Sequence, residues 1–315
     1  MKDEGLMFPA VYKPQRIGRL YYPDSEAIAL DAEAAGLKPA AQDPVKRLLL
    51  AIDMQVDFCH PNGSLYVPGA EGDVRRTIEF LYAHAAEITH ITCTLDSHYP
   101  FQIFHAAWWA DEKGAHPPPY TEISEADVRS GRWHALREPE WSLNYVGALE
   151  REAKKRLLIW PYHVPMGGVG HALDPELWSA VFWHSVARQC QPTWWIKGDI
   201  PETEHYSILR PEVEVPDHAR VSINNNFIAV VEEYDQIFIA GEAETHCVLE
   251  SVKDIVEVFH DRPDCLKKLF VLKDCTSPVV HPTVDFHALA QKQFARYAEQ
   301  GVQFVNSTDA WPMGR

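Results

Sequence analysis

The chain has 315 residues, 46% of them hydrophobic, enough to bury one large core or two modest ones without disulfide support. A net charge of −16 excludes non-specific attraction to nucleic acid or to an anionic membrane surface, since both would repel it at long range. Six cysteines (Cys59, Cys93, Cys190, Cys247, Cys265, Cys275) are scattered without C-x-x-C pairs, which excludes a disulfide scaffold and points to a reducing, cytoplasmic setting.

Residues 1–44 show no sustained periodicity and read as an arm that packs on the body or on a neighbouring subunit. Their opening, "MKDEGLMFPAVYKPQ", places acids and a proline where a secretory signal would be apolar. No later run reaches the length of a membrane span. From Arg47 onward, short apolar runs alternate with amphipathic stretches. "RLLLAID" (47–53) is predicted as a strand, 72–87 as a helix and "ITHITCTL" (88–95) as the second strand. An interval at about 106–159, with "GAHPPPY" and a predicted helix "LNYVGALEREAKKRL", breaks this rhythm and reads as an insertion. Strands follow at 193–197, 236–240, 268–272 and 302–306, with helices at 245–260 and 283–301. The strand runs are continuous rather than alternating, which suits strands buried on both faces. The expected fold is therefore α/β: a mostly parallel sheet covered by helices, with 45–315 as a single domain.

In such sheets ligands bind at the carboxyl ends of the strands. Asp53, Asp96, Lys197 and the turn from Gly241 to Cys247 all fall there. Cys247 stands where a helix begins, so the helix dipole and unpaired N–H groups favour its thiolate, with backbone donors at Ala243 and Cys247 for an oxyanion. The plain alternative is a buried structural cysteine. Asp53 at the mouth of an apolar strand has a raised carboxyl pKa unless a cation such as Lys197 is near; otherwise both are capping or solvated groups. Asp96 and His98, two apart on an extended segment, project to one face and could share a metal, with His163 or His105 supplying further ligands. Alone, D-x-H is a common chance pattern.

Taken in order, "LLLAIDMQVDFCHPNGSLYVPGA", "TLDSHYP", "WPYHVPMGGVGHALDPEL", "IKGDIPETEHYS" and "IAGEAETHCV" resemble the isochorismatase-like cysteine hydrolases, and among these the nicotinamidase and pyrazinamidase branch. The resemblance implies a three-layer αβα fold with a six-stranded parallel sheet. It also implies an Asp53–Lys197–Cys247 triad, with oxyanion donors at the backbone of Ala243 and Cys247. A divalent metal, zinc first and iron or manganese otherwise, is implied at Asp96, His98 and His163, with His105 as a fourth candidate. Phe58 and Trp160 match positions lining a ring pocket. The implied reaction is release of ammonia from a small carboxamide such as nicotinamide, by a homo-oligomer. The alternatives are a metal-free hydrolase of a carbamoyl, ureido or enol-ether compound, and a silent binding or assembly subunit. Ser97, Val164 and the "EAETHC" turn depart from the branch pattern and are expected to alter substrate choice.

Overall fold

The computed structural model describes residues 8–153, 155–216, 225–280 and 285–310. Six strands form one parallel sheet: β1 (Arg47–Ile52), β2 (His90–Asp96), β3 (Thr193–Lys197), β4 (Gln236–Gly241), β5 (Leu269–Leu272) and β6 (Gln303–Val305), in the order β6-β5-β4-β1-β2-β3. β1 lies between β4 and β2, with Ala51 opposite Ala240 on one side and Cys93 on the other. Its side chains alternate between two cores. Leu49 and Ala51 join the core containing Val74, Ile78 and Leu81 of helix α2 (Ala70–Ala83) and Leu177 and Val181 of helix α4 (Pro175–Ala187). Leu48, Leu50 and Ile52 join the opposite core, with Phe227 of α5 (Asn225–Glu233), Val252 of α6 (Leu249–Val258) and Phe294 of α7 (Phe286–Glu299). Full burial of each large aliphatic side chain is worth about 1.5–3 kcal/mol, which favours placing this Leu-rich strand at the sheet's centre. The result is the three-layer αβα architecture with a six-stranded parallel sheet.

β3 differs from the expectation of burial on both faces. It is an edge strand, and Trp194 and Ile196 are 42% and 54% exposed while Lys197 is buried. The 1–44 segment, read from sequence as aperiodic, carries helix α1 (Ser25–Ala34). The Asp24 carboxylate accepts from Ala27 N–H at its N-terminus, and Ile28 and Ala32 pack on Trp183 and Ala187 of α4. Within 106–159 the helix expected over 143–157 instead starts at Pro139, as α3 (Pro139–Ala148), and continues as a wider turn through Leu149–Ala153. Leu157 and Leu158 leave it to pair with Glu122 and Ile123. These segments enclose their own apolar cluster, including Phe104, Trp108, Trp109, Tyr145, Leu157 and Trp160. No described helix is long and apolar enough to cross a membrane.

Candidate active site

The carboxyl ends of β1, β2, β3 and β4 are adjacent in the sheet, so the residues that follow them meet. Asp53 leaves β1 in a left-handed conformation (φ 48°) that aspartate tolerates better than most residues, and is fully buried. Its backbone N–H donates to Thr94 Oγ1 at 3.0 Å, and that hydroxyl donates back to the Asp53 carboxylate. Lys197, the last residue of β3, lies with Nζ 2.8 Å from Asp53 Oδ2 and 3.0 Å from Asp96 Oδ1. The same ammonium donates to Cys247 Sγ at 3.4 Å and to the His205 carbonyl at 3.1 Å.

Two glycines permit the close approach. A Cβ on Gly198 would sit 2.4 Å from Asp96 Oδ1, and one on Gly241 would sit 2.1 Å from the Ile52 carbonyl. Both residues also have positive φ, where a side chain is strained. Beyond Gly241 the Glu242–Ala243 peptide is cis. Residues Glu244–Val248 form a wide helical turn that runs directly into α6, so Cys247 sits within the first helical turn rather than ahead of it. The Ala243 N–H donates to no acceptor among the described residues.

The electrostatics correct one expectation. Burial pushes the Cys247 thiol pKa well up; Lys197 opposes this but Asp53 and Asp96 reinforce it, so the resting group is a thiol and not a thiolate stabilised by the helix dipole. Asp53 is also raised, by burial first, with Lys197 opposing and Asp96 adding to the rise. Burial alone would neutralise Lys197, but the carboxylates of Asp53 and Asp96 outweigh it and hold the ammonium well above the ordinary lysine range. A buried carboxylate with raised basicity beside a protonated thiol is an acid–base pair poised for transfer during attack.

A second group adjoins the first. One ligand atom from each of Asp96, His98 and His163 lies within 4.8 Å of the others, and all three residues are buried. His98 Nδ1 faces the Gly198 carbonyl at 3.1 Å and His163 Nδ1 faces the Pro161 carbonyl at 2.7 Å, while His98 Nε2 lies 2.9 Å from Asp96 Oδ2. Burial, then His98, lowers the His163 pKa to about 4, keeping it neutral as metal ligation requires. A carboxylate and two oriented imidazoles fit a divalent ion such as zinc, iron or manganese. His105 does not join this donor group. Its ring packs against Tyr162 at 4.7 Å between centroids and stands 5.9 Å from that of His98.

Cys247 and the three donor residues line one small cavity with about 40 Å³ of free space, together with Phe58 and Trp160 among others. Trp160, Tyr206 and His246 also border a wider groove between the 106–159 segment and helices α6 and α7. Ser97 and Val164 line neither space; Ser97 Oγ faces Leu95 O and His171 Nε2, and Val164 is in the α2–α4 core. Their departure from the branch pattern therefore does not act at the cavity wall.

Sequence reading missed several supporting groups. Gln55 donates to the Asp96 carbonyl at 2.8 Å and accepts from Asp96 N–H at 2.8 Å, fixing the backbone that carries the Asp96 carboxylate. Asp57 accepts from Val164 N–H at 2.6 Å, fixing the loop that carries His163. Both lie in the D-x-Q-x-D-F stretch, whose regular spacing was the available signal. Glu204, which accepts from Trp160 Nε1 at 2.6 Å, and His205, whose ring nitrogens have no partner among the described residues, come from an irregular loop with no periodicity to read.

No protein-family model matches the sequence, and no curated protein matches it. Solved structures do. The chain is similar to a yeast nicotinamidase bound to the inhibitor nicotinaldehyde (19% identity, 82% of this chain and 99% of that one, TM-score 0.56). It is similar to a nicotinamidase and pyrazinamidase of Acinetobacter baumanii (18% identity, 85% and 99% covered, TM-score 0.55). A protein from L. infantum in complex with nicotinate matches over 84% of this chain and 94% of its own (18% identity, TM-score 0.50). At such identities the likeness shows the fold alone, a six-stranded parallel α/β sheet between helices as the sequence resemblance implied.

Proposed function

We propose that this chain is a metal-dependent cysteine amidohydrolase that releases ammonia from a small carboxamide, nicotinamide first among them. The observation that carries the reading is the convergence on Lys197 Nζ, which lies 2.8 Å from Asp53 and 3.4 Å from Cys247, with Cys247 lining the same cavity as the Asp96–His98–His163 donor set. The neighbours that bind nicotinaldehyde and nicotinate support the choice of ring amide.

Asp53 takes the thiol proton as Cys247 Sγ bonds to the amide carbonyl carbon. The resulting oxyanion is held by the N–H groups of Ala243 and Cys247. As the C–N bond breaks, Asp53 returns the proton to nitrogen and ammonia leaves a thioester. Asp53 then removes a proton from water while the oxygen bonds to the thioester carbon, and the C–S bond breaks. That proton goes back to sulfur, leaving the carboxylic acid product. Lys197 stays charged throughout and compensates the buried negative charge that moves among Asp53, sulfur and oxyanion. Asp96, His98 and His163 would hold a divalent metal, which would supply a Lewis acid beside the substrate ring. Phe58 and Trp160 flank the ring, with Trp160 oriented by Glu204.

The test is ammonia release from nicotinamide and a panel of ring amides, carbamoyl and ureido compounds by metal-analysed protein. Cys247→Ala should reduce turnover by about 10⁴-fold or more while metal content is kept. Wild-type turnover in that variant would remove Cys247 as nucleophile. Turnover of only ureido or carbamoyl compounds by metal-free protein would replace the proposed reaction.

A further inference from the structure

Glu242 takes no part in this chemistry, yet its side chain is fully buried immediately before Ala243. Its carboxyl lies in hydrogen-bond contact with that of Asp73, a buried residue in the first turn of α2. Arg76 Nη2 lies 2.6 Å from Asp73 Oδ1, and Ser277 N–H donates to Glu242 Oε2 at 3.4 Å. The remaining oxygens, Asp73 Oδ2 and Glu242 Oε1, receive no donor from any described residue. Two acceptors in contact away from water are stable only with something positive between them, and two carboxylates at one dry site cannot both ionise.

We propose that Asp73 and Glu242 share one proton, carried on Glu242, and that this acid–carboxylate bond fastens the oxyanion turn to α2. Arg76 and the Ser277 hydroxyl favour the charge on Asp73, which leaves Glu242 as the neutral partner. The other titratable groups facing the pair are the buried thiols of Cys59 and Cys275, Tyr66, and Glu244 on the same turn; none of them supplies a cation. The backbone completes the fastening. Glu242 N–H donates to the Ile52 carbonyl at 2.9 Å, Gly241 N–H to the Cys275 carbonyl at 3.0 Å and Glu244 N–H to the Ser277 carbonyl at 2.9 Å. Glu242 is thus a positioning residue, joining the strand end before Asp53 to the peptide that presents Ala243 N–H. Ionisation would break its bond to Asp73 and add negative charge beside the developing oxyanion. This catalytic consequence rests on the amidase reading; the shared proton does not.

Infrared difference spectra at neutral pH, where exposed carboxyls are ionised, should show the carbonyl band of a protonated acid in the wild type. The band should vanish in Glu242→Gln, and also in Asp73→Asn, whose amide donates to Glu242 and lets it ionise. Melting gives a second readout. A raised folded-state pKa confers stability that is complete below the unfolded carboxyl value of about 4.3 and is lost as pH rises toward the folded value. Glutamine escapes that loss, so the melting temperature of Glu242→Gln should exceed the wild type's at pH 7–8, with the gap closing near pH 4. An absent wild-type band, as a bridging metal ion would give, or a gap that does not change with pH, overturns the shared proton. For the positioning role, Glu242→Gln should keep kcat within about threefold and Glu242→Ala should lose about tenfold or more in kcat with KM little changed. Wild-type kcat in Glu242→Ala overturns it. Inactivity of the wild type on every amide refutes the amidase reading, and with it the catalytic consequence, while the infrared and melting results still decide the proton.

Discussion

Cys247 shows how one residue's chemistry depends on neighbours far away in sequence. Its place after a strand and a glycine was legible, and so was the idea of a nucleophile. Its resting protonation state was not. The helix terminus that favours a thiolate is outweighed by burial and by Asp53, which arrives from a strand nearly two hundred residues earlier. His98 and His163 carry a similar lesson, because their usefulness as ligands depends on which ring nitrogen is tied to a carbonyl. A three-donor set cannot spare a member, so His98→Ala should lower bound metal by about tenfold or more, measured by elemental analysis of purified protein. Metal content equal to the wild type's would make Asp96 and His98 ordinary polar residues.

At the level of elements, the central strands were readable because continuous burial leaves runs such as "RLLLAID" and "QIFIA" that need no context. Helix α4 was not assigned from sequence, although Asp174 and Pro175 carry a start signal: Asp174 Oδ1 accepts from Glu176 and Leu177 N–H at 2.9 and 3.2 Å. Its apolar residues run around most of the helix, since α1 covers the side away from the sheet, so no single stripe stands out. The 106–159 segment reaches the cavity through a chain of contacts. The buried Tyr145 hydroxyl of α3 accepts from Glu204 N–H at 3.1 Å, and Glu204 in turn holds Trp160. Tyr145→Phe leaves that buried N–H unpaired, at a cost of about 1–3 kcal/mol. The loosened ring wall should raise KM several-fold with a smaller change in kcat, read from steady-state ammonia release. An unchanged KM would separate the segment from substrate binding.

Taken whole, the molecule does not treat residues 8–34 as an appendage. Tyr12 and Ile17 are buried in the same core as α2 and α4, Gly18 N–H donates to Asp174 Oδ2 at 2.9 Å, and Asp31 Oδ1 accepts from Trp183 Nε1 at 2.8 Å. Deleting residues 1–36 should therefore uncover Ala85, Trp183 and Ala187 and lower the melting temperature by several degrees or more, at about 2–4 °C per kcal/mol lost for a domain of this size class. Unchanged melting of the shortened chain would mean that these contacts add nothing to the fold.

Hydrophobic periodicity in the sequence determined the strand runs, a mostly parallel sheet covered by helices and the strand ends at which reactive side chains gather, because periodicity and the carboxyl-end rule are local or nearly local properties; the six-stranded, three-layer form was implied by the family resemblance. Only the tertiary structure decided which of those side chains touch, that His105 stands outside the donor set, that Ser97 and Val164 stay off the cavity wall, and that Glu242 meets Asp73. These depend on distances between segments brought together by packing, and on the loss of water around them, neither of which a linear pattern records.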